Sequence, residues 1–107
     1  MNQITAEQLH TWIAEEKGFQ LIDIRTEEDY DDYHISGAIH MPRTGLKNRQ
    51  EEIARDKDVV IYCRYGMKAE SLVRELRYSL GLRNVVMLQG GIFDWAKDYA
   101  PEVLERI

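Results

Sequence analysis

The chemistry open to this 107-residue chain centres on its one cysteine. Cys63 closes the apolar run Val59, Val60, Ile61, Tyr62 and is followed at once by Arg64, Tyr65, Gly66, Met67 and Lys68. Free cysteines are most often buried and inert, but an inert one would lie inside the run rather than at its end. A helix beginning near Met67 or Lys68 aims its unpaired N-terminal amides back toward the sulfur. Gly66 lets the chain curl tightly enough to bring those amides close. Such a cradle binds anions. A helix N-terminus contributes up to ~2 kcal/mol in a partly buried setting, and Arg64 and Lys68 add to it, so the loop favours the thiolate. Ionised sulfur is a nucleophile.

The elements that would position this loop alternate along the chain. Thr5 and Gln8 form a capping box ahead of a helix on which Leu9, Trp12 and Ile13 share a face, with Gly18 as its stop. Residues 19–25 read as a strand, and Thr26 caps a short acidic helix over 27–34. Residues 35–42 read as a turn and a short extended piece ending at Pro42. A helix is expected over 45–56, then a β-branched strand over 58–63. The next helix spans 67–81, with Leu72, Val73, Leu76 and Leu80 inward and Gly81 at its end. A strand over 84–89 follows, and Gly90 and Gly91 turn the chain into a final helix.

Strands alternating with helices imply a parallel sheet of four to five strands, covered by helices on both faces. Ligands of such sheets bind beyond the carboxyl ends of the strands. Cys63 lies at one such end, Asp23 and Arg25 at another, and Gly90 with Gly91 at a third. The length suits one domain over residues 1–107. Composition narrows the function further. A net charge of −5 argues against a nucleic-acid binder, which normally presents a basic face. No apolar run approaches the ~20 residues of a membrane span. The N-terminal residues lack the pattern of a signal peptide. A single cysteine forms no internal disulfide, which suits a reducing cytoplasm. His10, His34 and His40 have no metal-binding spacing, so no metal is expected.

Three stretches carry a resemblance to the single-domain rhodaneses: Asp23-x-Arg25 followed by an acidic segment and His34-Ile-x-Gly-Ala; Cys63-Arg64-x-Gly66; and Gly90-Gly91-x-x-x-Trp95. Each is weak alone, but their order and spacing cover nearly all of the chain. The resemblance implies a sulfurtransferase in which Cys63 accepts a sulfane sulfur as a persulfide, from thiosulfate or another persulfide. It then passes the sulfur to a thiol or cyanide. Residues 63–68 would be the sulfur-binding loop, their amides holding the terminal sulfur. Lys68 would favour an anionic donor, and Arg64 would point outward or brace the loop. No cofactor is implied beyond the covalent persulfide. Small sulfur donors, thiol acceptors and a protein sulfur carrier or reductant are the expected partners. Tyr65 stands where the family usually has a small residue, Met67 is bulkier than most counterparts, and Ala69 replaces a frequent serine. These departures bear on donor preference.

Asp23 and Arg25 are expected to be a structural pair bracing the active loop. His34 belongs to a turn motif rather than serving Cys63 as a base. The acidic residues from Glu27 to Asp32 read as a solvated helix face, and Trp95 as packing on the sheet. Two other functions compete. A cysteine phosphatase wants an arginine six positions after the cysteine to grip phosphate bidentately, and position 69 is alanine. A rhodanese-fold binding module is the non-enzymatic alternative; such modules commonly lack the cysteine.

Overall fold

The computed structural model describes residues 2–107, so Met1 lies outside the described residues. Five parallel strands form one sheet in the order β1-β5-β4-β2-β3. They are β1 (Gln3–Ile4), β2 (Phe19–Asp23), β3 (Ile39–His40), β4 (Asp58–Tyr62) and β5 (Val85–Leu88). The α-helices are α1 (Ala6–Ala14), α2 (Glu27–Asp32), α3 (Met67–Ser79) and α4 (Gly91–Tyr99). Two 3-10 segments, Arg43–Glu52 and Pro101–Arg106, complete the chain.

Side chains alternate across a strand with period two, and β4 uses this to separate two cores. Val60 and Tyr62 join a cluster with Leu9, Leu88, Ile92 and Trp95 on the face covered by α1 and α4. Val59, Ile61 and Cys63 join the other cluster, with Leu72, Val73 and Leu76 of α3. The same alternation that buries Val59 and Ile61 therefore carries Cys63 to the α3 face. Its sulfur arrives under the first turn of that helix.

Several expected boundaries move. Helix α1 stops at Ala14, well before Gly18, because Glu16 adopts the left-handed conformation (φ 53°). The amide of Glu16 donates to Ile13 O and that of Lys17 to Trp12 O, so a Schellman-type ending forms without glycine. Leu80 is 40% exposed rather than inward. Helix α3 ends at Ser79, and beyond Gly81 (φ 67°) it is Leu82 that turns into the core. The expected helix over 45–56 is instead the 3-10 segment Arg43–Glu52, bent at Arg49 and burying only Leu46. Gln20 draws the chain off beyond it, donating to Glu52 O and accepting from the amide of Ala54.

Asp23 and Arg25 are buried at the end of β2. Arg25 Nε and Nη2 donate to the Asp23 carboxylate at 2.9–3.2 Å, and Arg25 Nη2 also reaches Tyr33 O. Burial opposes the charge on Arg25. The hydrogen bonds and charge of Asp23 outweigh this and hold the guanidinium above its ordinary pKa. Tyr62 lies beside the pair, its ring 5.8 Å from the guanidinium, and its hydroxyl accepts from the amide of Ile35. Burial and the charge of Asp23 push its phenol far above the usual range. Removing one partner of such a pair leaves a buried charge uncompensated. Asp23→Asn is expected to lower the unfolding free energy by ~3–5 kcal/mol, read from urea denaturation, whereas Asp23→Leu with Arg25→Leu should cost less. A single substitution costing no more than the double one would contradict a charge-compensating role.

Candidate active site

The loop after β4 wraps around the Cys63 sulfur. Sγ accepts from the amide of Gly66 at 3.1 Å and from that of Ala69 at 3.3 Å. Gly66 is the N-cap of α3 and has φ 106° and ψ −23°. That left-handed conformation is the one glycine tolerates and other residues rarely adopt. A Cβ there would also stand 3.3 Å from Gly90 N and 3.4 Å from Met87 Cε. Ala69 is fully buried beneath the sulfur. Position 69, where a phosphatase would need its arginine, thus supplies a backbone donor and a small apolar side chain.

What turns the amides inward is the grip on the carbonyls behind them. Ile92 N donates to Cys63 O at 2.9 Å and Phe93 N donates to Arg64 O at 3.0 Å. Both donors belong to the first turn of α4, where amides lack partners within the helix. This approach requires a glycine at position 91. A Cβ on Gly91 would lie 2.5 Å from Arg64 O and 2.6 Å from Cys63 O. With the carbonyls of Cys63 and Arg64 held from outside, the amides of Gly66 and Ala69 reach the sulfur. Among the described residues, the amides of Tyr65, Met67 and Lys68 donate to no protein acceptor. They remain open to whatever sits on the sulfur.

Cys63 is only 4% exposed, yet it lines an open pocket of about 460 Å³. Ile24, Pro42 and Met67 supply apolar wall, while Arg43, Arg64 and Lys68 bring positive charge. Met67 and Tyr65 stand out into solvent, 78% and 55% exposed. Arg64 also points outward, its guanidinium 5.4 Å from the Tyr65 ring, and Tyr65 leans on Phe93 at 5.3 Å.

The structure thus brings together Cys63, Arg64, Tyr65, Gly66, Met67 and Lys68. Asp23 and Arg25 lie across the pocket from this loop. Among the described residues neither side chain hydrogen-bonds to residues 63–68. The pair braces the opposite wall, fixing the end of β2 against Tyr33, and Arg25 lines the pocket from that side. His34 is likewise apart, its Nδ1 2.8 Å from Tyr30 O and its ring stacked on Tyr30. Sequence reasoning missed the amide of Ala69 and the wall formed by Pro42, Arg43 and Thr44. The signal for that wall was present, because Arg43 follows the carboxyl end of an extended piece, where parallel sheets gather their ligands.

Fold and loop together define a cysteine site with an amide anion cradle, carried at the C-terminal edge of a parallel α/β sheet. The chain belongs to the rhodanese-like family: the family described as Rhodanese-like domain matches residues 5–98. It is 35% identical to a protein named sulfurtransferase from Allochromatium vinosum, over 96% of this chain and 95% of that one. A thiosulfate sulfurtransferase GlpE from Coxiella burnetii is 27% identical, with 81% of each chain covered. The probable adenylyltransferase/sulfurtransferase MoeZ of Mycobacterium tuberculosis is 33% identical over 94% of this chain, which spans only 26% of that longer protein. Among solved structures, a rhodanese-related protein from Thermoplasma volcanium superposes with a TM-score of 0.80 at 27% identity, covering 94% and 96% of the two chains.

The α4 anchor generates a prediction with an internal control. Gly37 also has positive φ (91°), but a Cβ there meets nothing within 4 Å. Gly37→Ala therefore carries backbone strain alone, whereas Gly91→Ala adds a clash with the loop. Gly91→Ala is expected to slow alkylation of Cys63 by iodoacetamide by about tenfold or more, since a displacement near 1 Å costs reactivity on that scale. Gly37→Ala should react like the parent. A folded Gly91→Ala variant alkylated at the parental rate would show that α4 does not set the loop.

Proposed function

We propose that this protein is a sulfurtransferase that carries sulfane sulfur as a persulfide on Cys63. The observation that carries this reading is the pair of amide hydrogen bonds to Sγ, with further open amides in the same loop. The Cys63 thiolate attacks the outer sulfur of thiosulfate, the S–S bond breaks, and sulfite leaves with the bonding electron pair. The sulfur now bound to Sγ is anionic and would be received by the loop amides that have no protein acceptor among the described residues, those of Tyr65, Met67 and Lys68. Preorganised donors of this kind stabilise developing negative charge without reorganising during the reaction. An acceptor thiolate or cyanide then attacks the terminal sulfur, and Cys63 leaves as thiolate. The sulfane sulfur changes carriers and no external oxidant or reductant is consumed. The relatives named sulfurtransferase and thiosulfate sulfurtransferase support the same reading.

Intact mass spectrometry tests it directly. Incubation with thiosulfate is expected to add one sulfur atom, which cyanide or dithiothreitol removes, and Cys63→Ala should not acquire it. The same labile adduct on the alanine variant would overturn the role of Cys63.

Lys68 is exposed at the pocket, so its part is electrostatic attraction of an anionic donor. Lys68→Ala should raise the KM for thiosulfate about two- to fivefold, the scale of an exposed charge contact, with little change in kcat. Added salt should shrink the difference. Equal impairment with a neutral sulfane donor would mean that Lys68 shapes the loop instead.

A further inference from the structure

Cys63 sits almost covered at the foot of its pocket, so whatever accepts its sulfur reaches in from the mouth. That mouth carries opposite charge on its two lips. Lys68 and Arg43 belong to elements packed on the α3 face of the sheet, where Leu46 and the apolar side of α3 share one cluster. Helix α2 packs through Tyr30 and Tyr33 against the cluster on the other face, and its start supplies Thr26 and Asp29 to the pocket. Glu27 and Glu28 lie between those two in the chain and are exposed. Among the described residues, Arg43, Lys68, Glu27, Glu28 and Asp29 have no ion-pair partner. The two signs therefore stay apart, one on each side of the sheet edge, as two separate fields.

Glu27 and Glu28 do not line the pocket, so a small thiol inside it leaves them untouched. Only a larger body meets both lips at once. Tyr65 and Met67 stand at the same mouth with most of their surface in solvent, and Tyr65 leans on Phe93 at 5.3 Å. Aromatic residues, methionine and arginine gathered on a surface are the composition of protein interfaces. The acids of α2 and the net charge of −5 repel a nucleic acid or an anionic membrane.

Resting on the persulfide reading above, we propose that the mouth docks a protein sulfur acceptor with a bipolar surface. Its reactive cysteine stands on a protruding segment, with acidic residues on one side and basic residues on the other. The acidic side meets Arg43 and Lys68, the basic side meets Glu27, Glu28 and Asp29, and an apolar residue beside the cysteine covers Met67 and Tyr65. The acceptor's thiolate attacks the outer sulfur of Cys63–S–SH. The S–S bond breaks, Cys63 leaves as thiolate with the bonding pair, and the acceptor carries the –S–SH group. Charge and oxidation state balance with no further reactant. Charges at such a rim act on encounter and orientation.

The test loads Cys63 fully with thiosulfate, removes the excess, and offers synthetic peptides with one central cysteine. They carry glutamates on one side and lysines on the other, glutamates on both, lysines on both, or serines on both. The mixed peptide is made in both chain orders. Each transfer rate is divided by that peptide's rate with neutral dipyridyl disulfide, which removes differences in thiol reactivity. The faster mixed peptide is expected to exceed each other kind about fivefold at low salt, since rim charges act on association. Salt at about 1 M, where the Debye length is ~3 Å, should abolish the preference. Glu27→Lys with Glu28→Lys should move the preference to the peptide with glutamates on both sides, and Arg43→Glu with Lys68→Glu to the one with lysines on both. Comparing peptides within one variant cancels any change in the loop itself. No preference in the parent protein, or the same order of preference in both charge-reversed variants, would overturn the proposal while thiosulfate still loads Cys63. A dimer in sedimentation that Glu27→Lys with Glu28→Lys dissociates would assign the mouth to a second copy, and would overturn it too. If thiosulfate does not load Cys63, the persulfide reading itself falls, and the proposal with it.

Discussion

Two hydrogen bonds at the start of α4 anchor the loop that wraps around Cys63. The amides of Ile92 and Phe93 hold the carbonyls of Cys63 and Arg64, and a peptide group whose carbonyl is held on one side presents neighbouring amides to the other. The loop needs this constraint because its inward amides otherwise gain by turning toward water. Each net hydrogen bond is worth only ~0.5–1.5 kcal/mol, so geometry rather than strength makes the pair decisive. A carbonyl displaced by a methyl group at Gly91 carries the whole loop with it.

The anchor is firm because α4 is firm. Ile92, Trp95 and Ala96 bury one side of that helix against α1 and the sheet. Trp95 Nε1 donates to the hydroxyl of Tyr33, whose own carbonyl receives Arg25. The buried ion pair, the aromatic cluster and the active loop are therefore linked through one face of the sheet, although Cys63 itself lies on the other. Strand alternation resolves this apparent conflict. Tyr62 points to the side of the ion pair, and Cys63, one residue later, points beneath α3.

Much of this was legible in the sequence because it rests on local rules. The β-branched run marked β4, the capping box of Thr5 and Gln8 marked α1, and both hydrogen bonds of that box are formed. A helix starting straight after Gly66 brought amides near Cys63, while the bounds of the loop from Cys63 to Lys68 came from the resemblance to the single-domain rhodaneses. What escaped depends on distant partners. The two residues of β1 have no periodicity to detect and exist as a strand only through pairing with β5. The 3-10 segment Arg43–Glu52 has too few apolar residues to hold an α-helix, and Gln20 decides where it ends. Glu16 took the left-handed position that Gly18 was expected to fill, because the Schellman bonds close two residues earlier. That Asp23 and Arg25 form a pair was legible, but not that Arg25 also reaches Tyr33 O, since that depends on where Tyr33 falls.

In the proposed reaction the amides of Tyr65, Met67 and Lys68 receive the sulfur carried by Cys63. Amide proton shifts report hydrogen bonding one residue at a time, so ¹H–¹⁵N spectra before and after loading with thiosulfate address it most directly. The account predicts downfield shifts on sulfur loading at Tyr65, Met67 and Lys68, reversed by cyanide, with little change in α1 or β2. Loading that leaves those three amides unmoved would contradict it, since the terminal sulfur would then lie outside the cradle.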